Sequence, residues 1–360
     1  MPNSPGFPPG TERAEADMLA VGMREVNQPE LIELPEPPMP STDELLIDME
    51  MVALSIAEVR AVRGDRFRHF GQKIDPSDPF IFGFAGVGRI RKSGSPSFAE
   101  GGRVILSGLV SCGKCSHCKR GLENHCEQMR LAGIDVGCPG YGRGQVLVPA
   151  RLAHRIPDTF SPEKACVVSE VATGVHALRR GRLKAGESLG VIGSGRHGRQ
   201  VIRLARRMGC RVVAIDPQES SRELALLAGA HEAIGPASAS GLDLDCAIHA
   251  NSDESSLALA CNVTGPQGRV ILLGTPAGKD VELPDPYALV SLPERELIGT
   301  DSKTAEGFRV AIEIMSTGEE NWEVWNPRRV PIQEAPQALK TAAQSWPPSH
   351  DLFIDLSGSR

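Results

Sequence analysis

The sequence has no long hydrophobic run, few aromatic residues and no block of basic charge. Of its 360 residues, 4% are aromatic, 23% are charged, and the net charge is −6. No apolar stretch approaches the about 20 residues that cross a bilayer, and the first residues lack the apolar core of a signal peptide. The missing basic block argues against nucleic acid or an anionic membrane as partner. We therefore expect a cytoplasmic protein that acts on a small molecule, and its length suits two domains.

Cysteine is present and clustered. The run SCGKCSHCKRGLENHCEQ has the spacing Cys-x2-Cys-x2-Cys-x7-Cys, with glycines in the turns. Four thiolates at this spacing can close a tetrahedral cage around Zn²⁺ with no open position, which is a structural site. Free or disulfide-bonded cysteines are the alternative. The predicted ligands are Cys112, Cys115, Cys118 and Cys126. The other five cysteines lie among apolar residues and are predicted to be buried and reduced.

Secondary-structure signals change along the chain. Up to about Arg151, short apolar runs broken by Gly and Pro predict a β-rich domain. After Ala150, strands alternate with helices, which predicts βαβ units and a parallel sheet. The first 17 residues are rich in Pro, Gly and charge and are expected to form a disordered tail.

The cysteine loop closely resembles the structural-zinc lobe of the medium-chain dehydrogenase/reductase superfamily, which includes the zinc alcohol and polyol dehydrogenases. The resemblance extends from about Glu44 to the C-terminus. It implies a GroES-like β-rich catalytic domain, a Rossmann doubly wound parallel-sheet domain and a homo-oligomer of two or four chains. The expected division is a tail over 1–17, a GroES-like domain over 18–151 and 302–360 with the zinc lobe at 111–127, and a Rossmann domain over 152–301.

A glycine motif follows the strand LGVI and opens a predicted helix. In GSGRHG, Gly193 suits the tight turn, Gly195 the approach of a pyrophosphate, and Gly198 the packing of helix on strand. The strand RVVAI then ends in Asp216, whose carboxylate can accept hydrogen bonds from the ribose hydroxyls and would repel a 2′-phosphate. This predicts NAD(H) rather than NADP(H), although Arg222 is nearby. A Rossmann-like domain that binds no nucleotide is the alternative.

The loop also carries residues that are unusual for the superfamily. Arg196 and His197 stand where most members have small or aliphatic residues. His197 is expected beside the nicotinamide, where it stacks or titrates, or else it is a surface residue with a backbone partner. The resemblance also assigns Ser194, Arg196, His197 and Thr173 to the cofactor site.

The catalytic zinc ligands of the resembled family are missing. Ser55 replaces a cysteine, Phe84 and Ala85 replace a His-Glu pair, and Ser169 replaces the last ligand. Neutral Ser, Phe and Ala cannot hold a divalent cation. The sequence therefore predicts one structural Zn²⁺ and no catalytic Zn²⁺.

Without this Lewis acid, hydride transfer stays feasible where the electrophile is already activated, as in a conjugated C=C or an iminium C=N bond. We expect an NAD(H)-dependent oxidoreductase of specialised metabolism that reduces such a bond in a small, partly hydrophobic metabolite. A metal-independent alcohol or polyol dehydrogenase is one alternative, and a non-redox cyclase, isomerase or binding module on the same fold is another. The candidate catalytic residues are Ser55, Glu58, Tyr141 and His197.

Other side chains are expected in the same cleft by resemblance. Glu58 is an acid or counter-ion candidate, and a salt bridge to Arg60 or Arg63 is its alternative role. A phenylalanine-rich stretch favours either a hydrophobic substrate or simple core packing. Its members are Phe67, Phe70, Phe80, Phe82 and Phe84. The remaining polar candidates are Arg60, Arg63, His69, Ser169 and Glu170.

Overall fold

The computed structural model describes residues 18–65, 67, 71–251, 254–274, 283–317, 322, 327–345 and 351–359. The chain divides into two compact units. The first comprises Met1–Gly108, Leu131–Asp158 and Pro327–Arg360, and the second comprises Leu109–Arg130 and Thr159–Asn326. The expected tail over 1–17 lies outside the described residues.

The first unit is built mainly on antiparallel sheets. Its strands are β1 (Met18–Met23), β2 (Pro29–Leu34), β3 (Glu44–Ala53), β4 (Phe80–Ile81), β5 (Ala85–Ser93), β6 (Arg103–Leu106), β9 (Gln145–Pro149), β10 (Ala153–Arg155), β17 (Pro327–Pro331) and β18 (Asp351–Asp355). Its helices are α1 (Ile56–Val62) and α8 (Ala335–Gln344). One sheet has the order β2-β1-β4, and a larger one has the order β10-β6-β5-β3-β18-β17, with β9 also paired to β3. The long strand β3 is mostly buried, and its buried apolar residues lie on both of its faces.

The second unit contains a parallel sheet covered by helices. The strands of this sheet are β11 (Ser188–Ile192), β12 (Arg211–Ile215), β13 (Glu232–Ile234), β14 (Leu244–His249), β15 (Thr264–Leu272) and β16 (Glu296–Gly299). Two short strands on either side of the cysteine loop, β7 (Leu109–Val110) and β8 (Arg130–Leu131), pair with each other in a separate sheet. Its helices are α2 (Ser116–Lys119), α3 (Pro162–Arg180), α4 (Arg196–Arg207), α5 (Glu219–Leu227), α6 (Glu254–Asn262) and α7 (Ala305–Ser316).

The order of this sheet, β13-β12-β11-β14-β15-β16, places β11 between β12 and β14. The strand order therefore reverses beside β11, and ligands of doubly wound folds bind at the carboxyl ends of the strands at such a point. The predicted alternation of strands and helices and the α/β fold class are confirmed. Among the described residues, no helix is both long and apolar enough to cross a membrane.

Helix α3 is the buried centre of the second unit. It begins after Ser161, whose Oγ accepts a hydrogen bond from the Lys164 N–H at 3.1 Å, and Pro162 occupies its first turn. Residues on every face of its middle turns are buried, because α4 and α7 pack against it.

The unit boundaries differ from the expected ones. The chain passes into the second unit after Asp158 rather than Arg151, and it returns after Asn326 rather than Asp301. The cysteine loop clusters with the second unit. Helix α7 explains the later return, because its buried residues Phe308 and Ala311 lie on the side that packs against α3.

Candidate functional site

The four lobe cysteines converge as predicted. Their Sγ atoms all lie within 4.8 Å of one another. The Cys112–Cys118 and Cys115–Cys126 Sγ pairs are each 4.0 Å apart. A tetrahedron of thiolates around Zn²⁺, with bonds of about 2.3 Å, has edges of about 3.8 Å. The donor set and its spacing therefore fit a structural zinc.

Backbone groups hold this cage in shape. The Cys112 N–H donates to Cys126 Sγ at 3.2 Å, and the Cys115 N–H donates to Cys112 Sγ at 3.3 Å. Gly113 and Gly121 have φ of +71° and +72°, a conformation that favours glycine. The lobe is also fixed within its unit, because the Asn124 side-chain amide donates to the Asp301 carbonyl at 3.0 Å.

The glycine loop has the geometry of a dinucleotide site. Gly193 has φ of +96°, a left-handed conformation that the tight turn after β11 requires. At Gly195, no described atom beyond its chain neighbours lies within 4 Å of where a Cβ would be, so a ligand can approach the backbone there. A Cβ on Gly198 would collide with the Gly193 carbonyl. The N-terminus of α4 has no side-chain cap, and the backbone N–H groups of a helix N-terminus suit a pyrophosphate.

Asp216 lies at the end of β12 beside this loop and is buried. Its carboxylate accepts hydrogen bonds from the Ser194 N–H at 2.8 Å and from the Gln218 N–H at 2.9 Å. The Arg222 guanidinium donates to the Asp216 carbonyl at 3.0 Å. The carboxylate is therefore fixed at the mouth of the glycine loop.

The side chains of Arg196 and His197 have different surroundings. The Arg196 guanidinium forms an ion pair with the Glu170 carboxylate at 2.7 Å, which ties the start of α4 to α3. His197 is exposed. The structure thus places Arg196 in an ion pair inside the unit and His197 at the surface of the loop.

Lys303 is a buried lysine that contacts α3. It is 4% exposed, and its Nζ lies 2.8 Å from Ser169 Oγ and 3.5 Å from Thr173 Oγ1. Burial lowers the pKa of Lys303 to about 8, while the nearby Glu170 carboxylate acts in the opposite direction. Thus a cationic side chain contacts both Ser169, which stands where the resembled family has a zinc ligand, and the cofactor candidate Thr173.

Sequence reasoning did not select Lys303. It is a single lysine in a loop, and only the fold shows that it reaches α3. One signal was present: Lys303 follows the last strand of a predicted parallel sheet and precedes a helix, and the carboxyl ends of such strands carry ligand-binding residues.

Glu58 is fully buried in the first unit, at the start of α1. Its carboxylate accepts hydrogen bonds from the Ser55 N–H and the Gly83 N–H, each at 2.6 Å, and from the Phe84 N–H at 3.1 Å. Burial raises the pKa of Glu58 to about 7, and these hydrogen bonds oppose the rise. Glu58 therefore joins the Ser55 segment to the Gly83–Phe84 segment, while the neighbouring Arg63 pairs with Asp65 at 3.0 Å.

Tyr141 is also fully buried in the first unit. Its hydroxyl donates to the Ser107 carbonyl at 2.7 Å, and burial raises its pKa above the ordinary value for tyrosine. Both features keep the phenol protonated and bound to backbone.

Three phenylalanines of the aromatic-rich stretch pack together. The Phe67 and Phe80 ring centroids are 5.4 Å apart, and those of Phe80 and Phe82 are 5.1 Å apart, both edge to face. All three are buried, which favours core packing for them. Phe84 is half-buried, and a Cβ on Gly108 would collide with its ring. Phe70 and His69 lie outside the described residues.

Comparison with known proteins agrees with these features. The family model of the alcohol dehydrogenase GroES-like domain matches residues 41–158, and that of the zinc-binding dehydrogenases matches residues 198–317. The chain belongs to the medium-chain dehydrogenase/reductase superfamily. As a member of this superfamily, it is an NAD(P)-dependent oxidoreductase that acts on a small molecule.

Individual relatives are distant but match over most of their length. A zinc-type alcohol dehydrogenase-like protein of Haemophilus influenzae is 26% identical over 332 residues, covering 87% of this chain and 92% of that protein. D-xylulose reductase A of Aspergillus oryzae is 23% identical over 351 residues, covering 93% and 95%. Among solved structures, a zinc-binding dehydrogenase of Sinorhizobium meliloti bound to NADP has a TM-score of 0.82 at 24% identity, covering 94% of this chain and 99% of that one.

Proposed function

We propose that this medium-chain dehydrogenase/reductase is an NAD(H)-dependent oxidoreductase that holds one structural zinc, works without a catalytic zinc, and reduces an activated C=C or C=N bond. The observation that carries the proposal is the environment of Ser169. Where the resembled enzymes have a zinc ligand, this chain has a neutral hydroxyl that lies 2.8 Å from the ammonium of Lys303. A divalent cation beside that ammonium would be repelled.

The donor chemistry of the described residues supports the absence of a second zinc. Groups of three or more His, Cys, Asp or Glu side chains close enough to share a metal ion occur, within the described ranges, only in the cysteine lobe. The other positions at which the resembled enzymes have ligands carry Ser55, Phe84 and Ala85. Hydroxyl and apolar side chains are poor ligands for Zn²⁺, which takes thiolate, imidazole or carboxylate.

The proposed reaction type follows from the absence of a catalytic zinc. A metal ion accelerates hydride transfer to or from an ordinary carbonyl or alcohol by stabilising charge on oxygen, worth several kcal/mol in the transition state. A conjugated alkene or an iminium needs less of this help. An activated electrophile is therefore the substrate class that a zinc-free site of this superfamily suits best.

The cofactor is held by residues already described. We assign the pyrophosphate to the N–H groups of the Gly193–Gly198 loop and the start of α4, and the adenosine ribose to the Asp216 carboxylate. The nicotinamide cofactor supplies a hydride when bound. Asp216 would face the 2′-phosphate of NADP(H), so NAD(H) is favoured, although the Sinorhizobium meliloti neighbour holds NADP.

A second candidate function is a metal-independent polyol dehydrogenase. The similarity to D-xylulose reductase A favours it. In that case Ser55 or His197 would have to act on the substrate hydroxyl, because Glu58 is bonded to three backbone N–H groups.

Cofactor turnover with matched substrates separates these functions. The purified zinc-containing protein is mixed with NADH and either cyclohexenone or an N-methyl dihydroisoquinolinium salt, and with NAD⁺ and xylitol or benzyl alcohol. We expect stoichiometric loss of NADH absorbance with an activated substrate and negligible NADH formation from the alcohols, with or without chelator. Alcohol oxidation as fast as reduction of the activated substrates would favour the polyol dehydrogenase, and binding of NADH without turnover of any substrate would favour a non-redox role.

A further inference from the structure

A cavity in the second unit has no part in the proposed function. Its volume is about 330 Å³, and it is bordered by the cysteine lobe, the C-terminal half of α3 and the loop after β16. This volume is at the lower end of the range of about 300 to 1,000 Å³ that is usual for small-molecule sites. No lining residue belongs to the glycine loop or is Asp216. The lining residues are His125, His176, Arg180, Gly299, Thr300 and Asp301.

The Arg180 guanidinium supplies a permanent positive charge to this cavity. The Arg180 side chain is exposed, so a ligand in the cavity can reach it. Its Nε and Nη2 atoms each lie 3.4 Å from the Gly299 carbonyl oxygen. Within the described part of the chain, Arg180 forms no ion pair, whereas the neighbouring Arg179 pairs with Glu306 at 3.6 Å. An arginine without a carboxylate partner is suited to bind two oxygens of an oxyanion.

His176 lies one helical turn before Arg180, on the same face of α3, and is half-buried. Burial first, and then Arg180 and His125, lower the pKa of His176. Arg179 acts in the same direction, and Asp301 opposes it. The imidazole is thus surrounded by two arginines and one carboxylate. An anion that binds beside Arg180 would favour the protonated form of His176, and His176 would then attract the anion in turn.

The wall formed by the lobe and the loop is held together by Asn124. Its side-chain amide lies 3.3 Å from His125 Nε2 and donates to the Asp301 carbonyl at 3.0 Å. The His125 and Asp301 side chains are both exposed. The cavity therefore combines one guanidinium and two imidazoles, which can donate hydrogen bonds, with a single carboxylate that accepts them.

We propose that this cavity binds a small phosphate monoester that carries a hydroxyl group, with its phosphate against Arg180 and the two histidines. A phosphate group fits because it has three strong acceptor oxygens and a charge of about −1.5 to −2 near neutral pH. A ligand carboxylate has two oxygens, which Arg180 alone would satisfy. The Asp301 carboxylate would repel a bare anion, but it can accept a hydrogen bond from a hydroxyl group on the ligand. This site goes beyond the proposed function and does not depend on it.

Calorimetric titration of the zinc-loaded protein with glycerol 3-phosphate tests the site. We expect saturable binding of one molecule per chain. Arg180→Gln should raise the Kd at least about tenfold, because charge-assisted hydrogen bonds are lost. The matched control is Arg179→Gln, which removes the same charge from the next position, outside the lining, and should leave the Kd within about twofold of the parent value. Both arginines are exposed, so both variants should fold, and their melting temperatures check this.

Sulfate tests the contribution of His176, because its charge stays constant between about pH 5.5 and pH 8. The affinity of the parent for sulfate should rise as the pH falls through this range, since protonation of His176 adds a positive charge. His176→Gln should show a smaller rise. An unchanged rise in His176→Gln would contradict the assignment of His176 to the site.

Asp301→Ala tests the hydroxyl contact. The parent should bind glycerol 3-phosphate more tightly than ethyl phosphate, which has no hydroxyl group. Asp301→Ala should lose this preference and should bind sulfate more tightly than the parent, because a negative charge is removed. A preference that persists in Asp301→Ala would overturn the hydroxyl assignment.

Three results would overturn the site itself. They are the absence of saturable binding by the parent, an equal Kd in the parent and Arg180→Gln, and an equal loss of affinity in Arg180→Gln and Arg179→Gln. Competition between glycerol 3-phosphate and NADH would assign the cavity to the nucleotide and would also overturn the inference. These binding measurements need no turnover, so their failure is distinguishable from a failure of the assays with cyclohexenone or the iminium salt.

Discussion

At the scale of single residues, the cofactor proposal rests on Asp216, and Lys303 adds a buried cation beside Ser169. Asp216 lies at the end of β12 and is held by the N–H groups of Ser194 and Gln218. Its place was predictable, because the sequence shows a strand that ends in a carboxylate after a glycine motif. Lys303 was not predictable in the same way, since its partners Ser169 and Thr173 are more than a hundred residues away in the chain.

Asp216→Ala tests the cofactor assignment. The variant should bind NADH more weakly by roughly 1 to 3 kcal/mol, the loss expected when hydrogen bonds to a charged group disappear. Its affinity for NADPH should rise or stay unchanged, because the negative charge is gone. Isothermal calorimetry with both nucleotides checks this, with the exposed Glu223→Ala on α5 as control. Equal NADH affinity in parent and Asp216→Ala would refute the assignment.

Lys303 also makes a prediction about pH. Burial lowers its folded pKa to about 8, below the ordinary 10.5, so between these values the unfolded chain binds more protons than the folded protein. The free energy of unfolding contributed by this group therefore rises with pH through that interval. Lys303→Met lacks this rise, so its stability relative to the parent should be highest below pH 8 and should decline toward pH 10.5.

Urea denaturation of both proteins at neutral and alkaline pH measures this difference, with Lys184→Met as control. If the relative stability of Lys303→Met were independent of pH, Lys303 would not be a buried charged group.

At the scale of elements, local patterns predicted much of the fold. The strand LGVI became β11, and the helix after GSGRHG became α4. The partners of an element were harder to predict. Helix α7 follows the last strand of the parallel sheet and packs against α3, a contact between distant segments, so the return to the first unit occurs later than expected.

The cysteine lobe is an element without a hydrophobic core of its own. Its stability must come from the metal, because metal binding to a site absent in the unfolded chain contributes to folding free energy. Cys115→Ser should therefore lose zinc and lower the melting temperature. Lys114→Ala, an exposed change in the same loop, should keep both. Elemental analysis and calorimetry check this, and a Cys115→Ser protein with full zinc and unchanged melting temperature would contradict the structural role.

At the scale of the whole molecule, the chain is a member of its superfamily with a cluster of four cysteines that fits the structural-zinc lobe, and we propose that it lacks the second metal site. The family, the two-part architecture and the cage were readable from motif spacing. The side chains at the second metal site were only partly predictable from the sequence. The sequence showed that Ser169 stands at the position of a zinc ligand, and the fold showed that the Lys303 ammonium lies beside it. A homo-oligomer stays a prediction, which light scattering of the purified protein would check.

The measurement that tests the central claim most directly is the zinc content per chain. Elemental analysis of the purified protein after extensive dialysis, with concentration from amino-acid analysis, should give one Zn²⁺ per chain, and none in Cys115→Ser. A single metal held by the lobe would mean that hydride transfer proceeds without activation by a metal ion. Two tightly held zinc ions per chain, or one that persists in Cys115→Ser, would show that a second metal site exists and that the reaction has its Lewis acid after all.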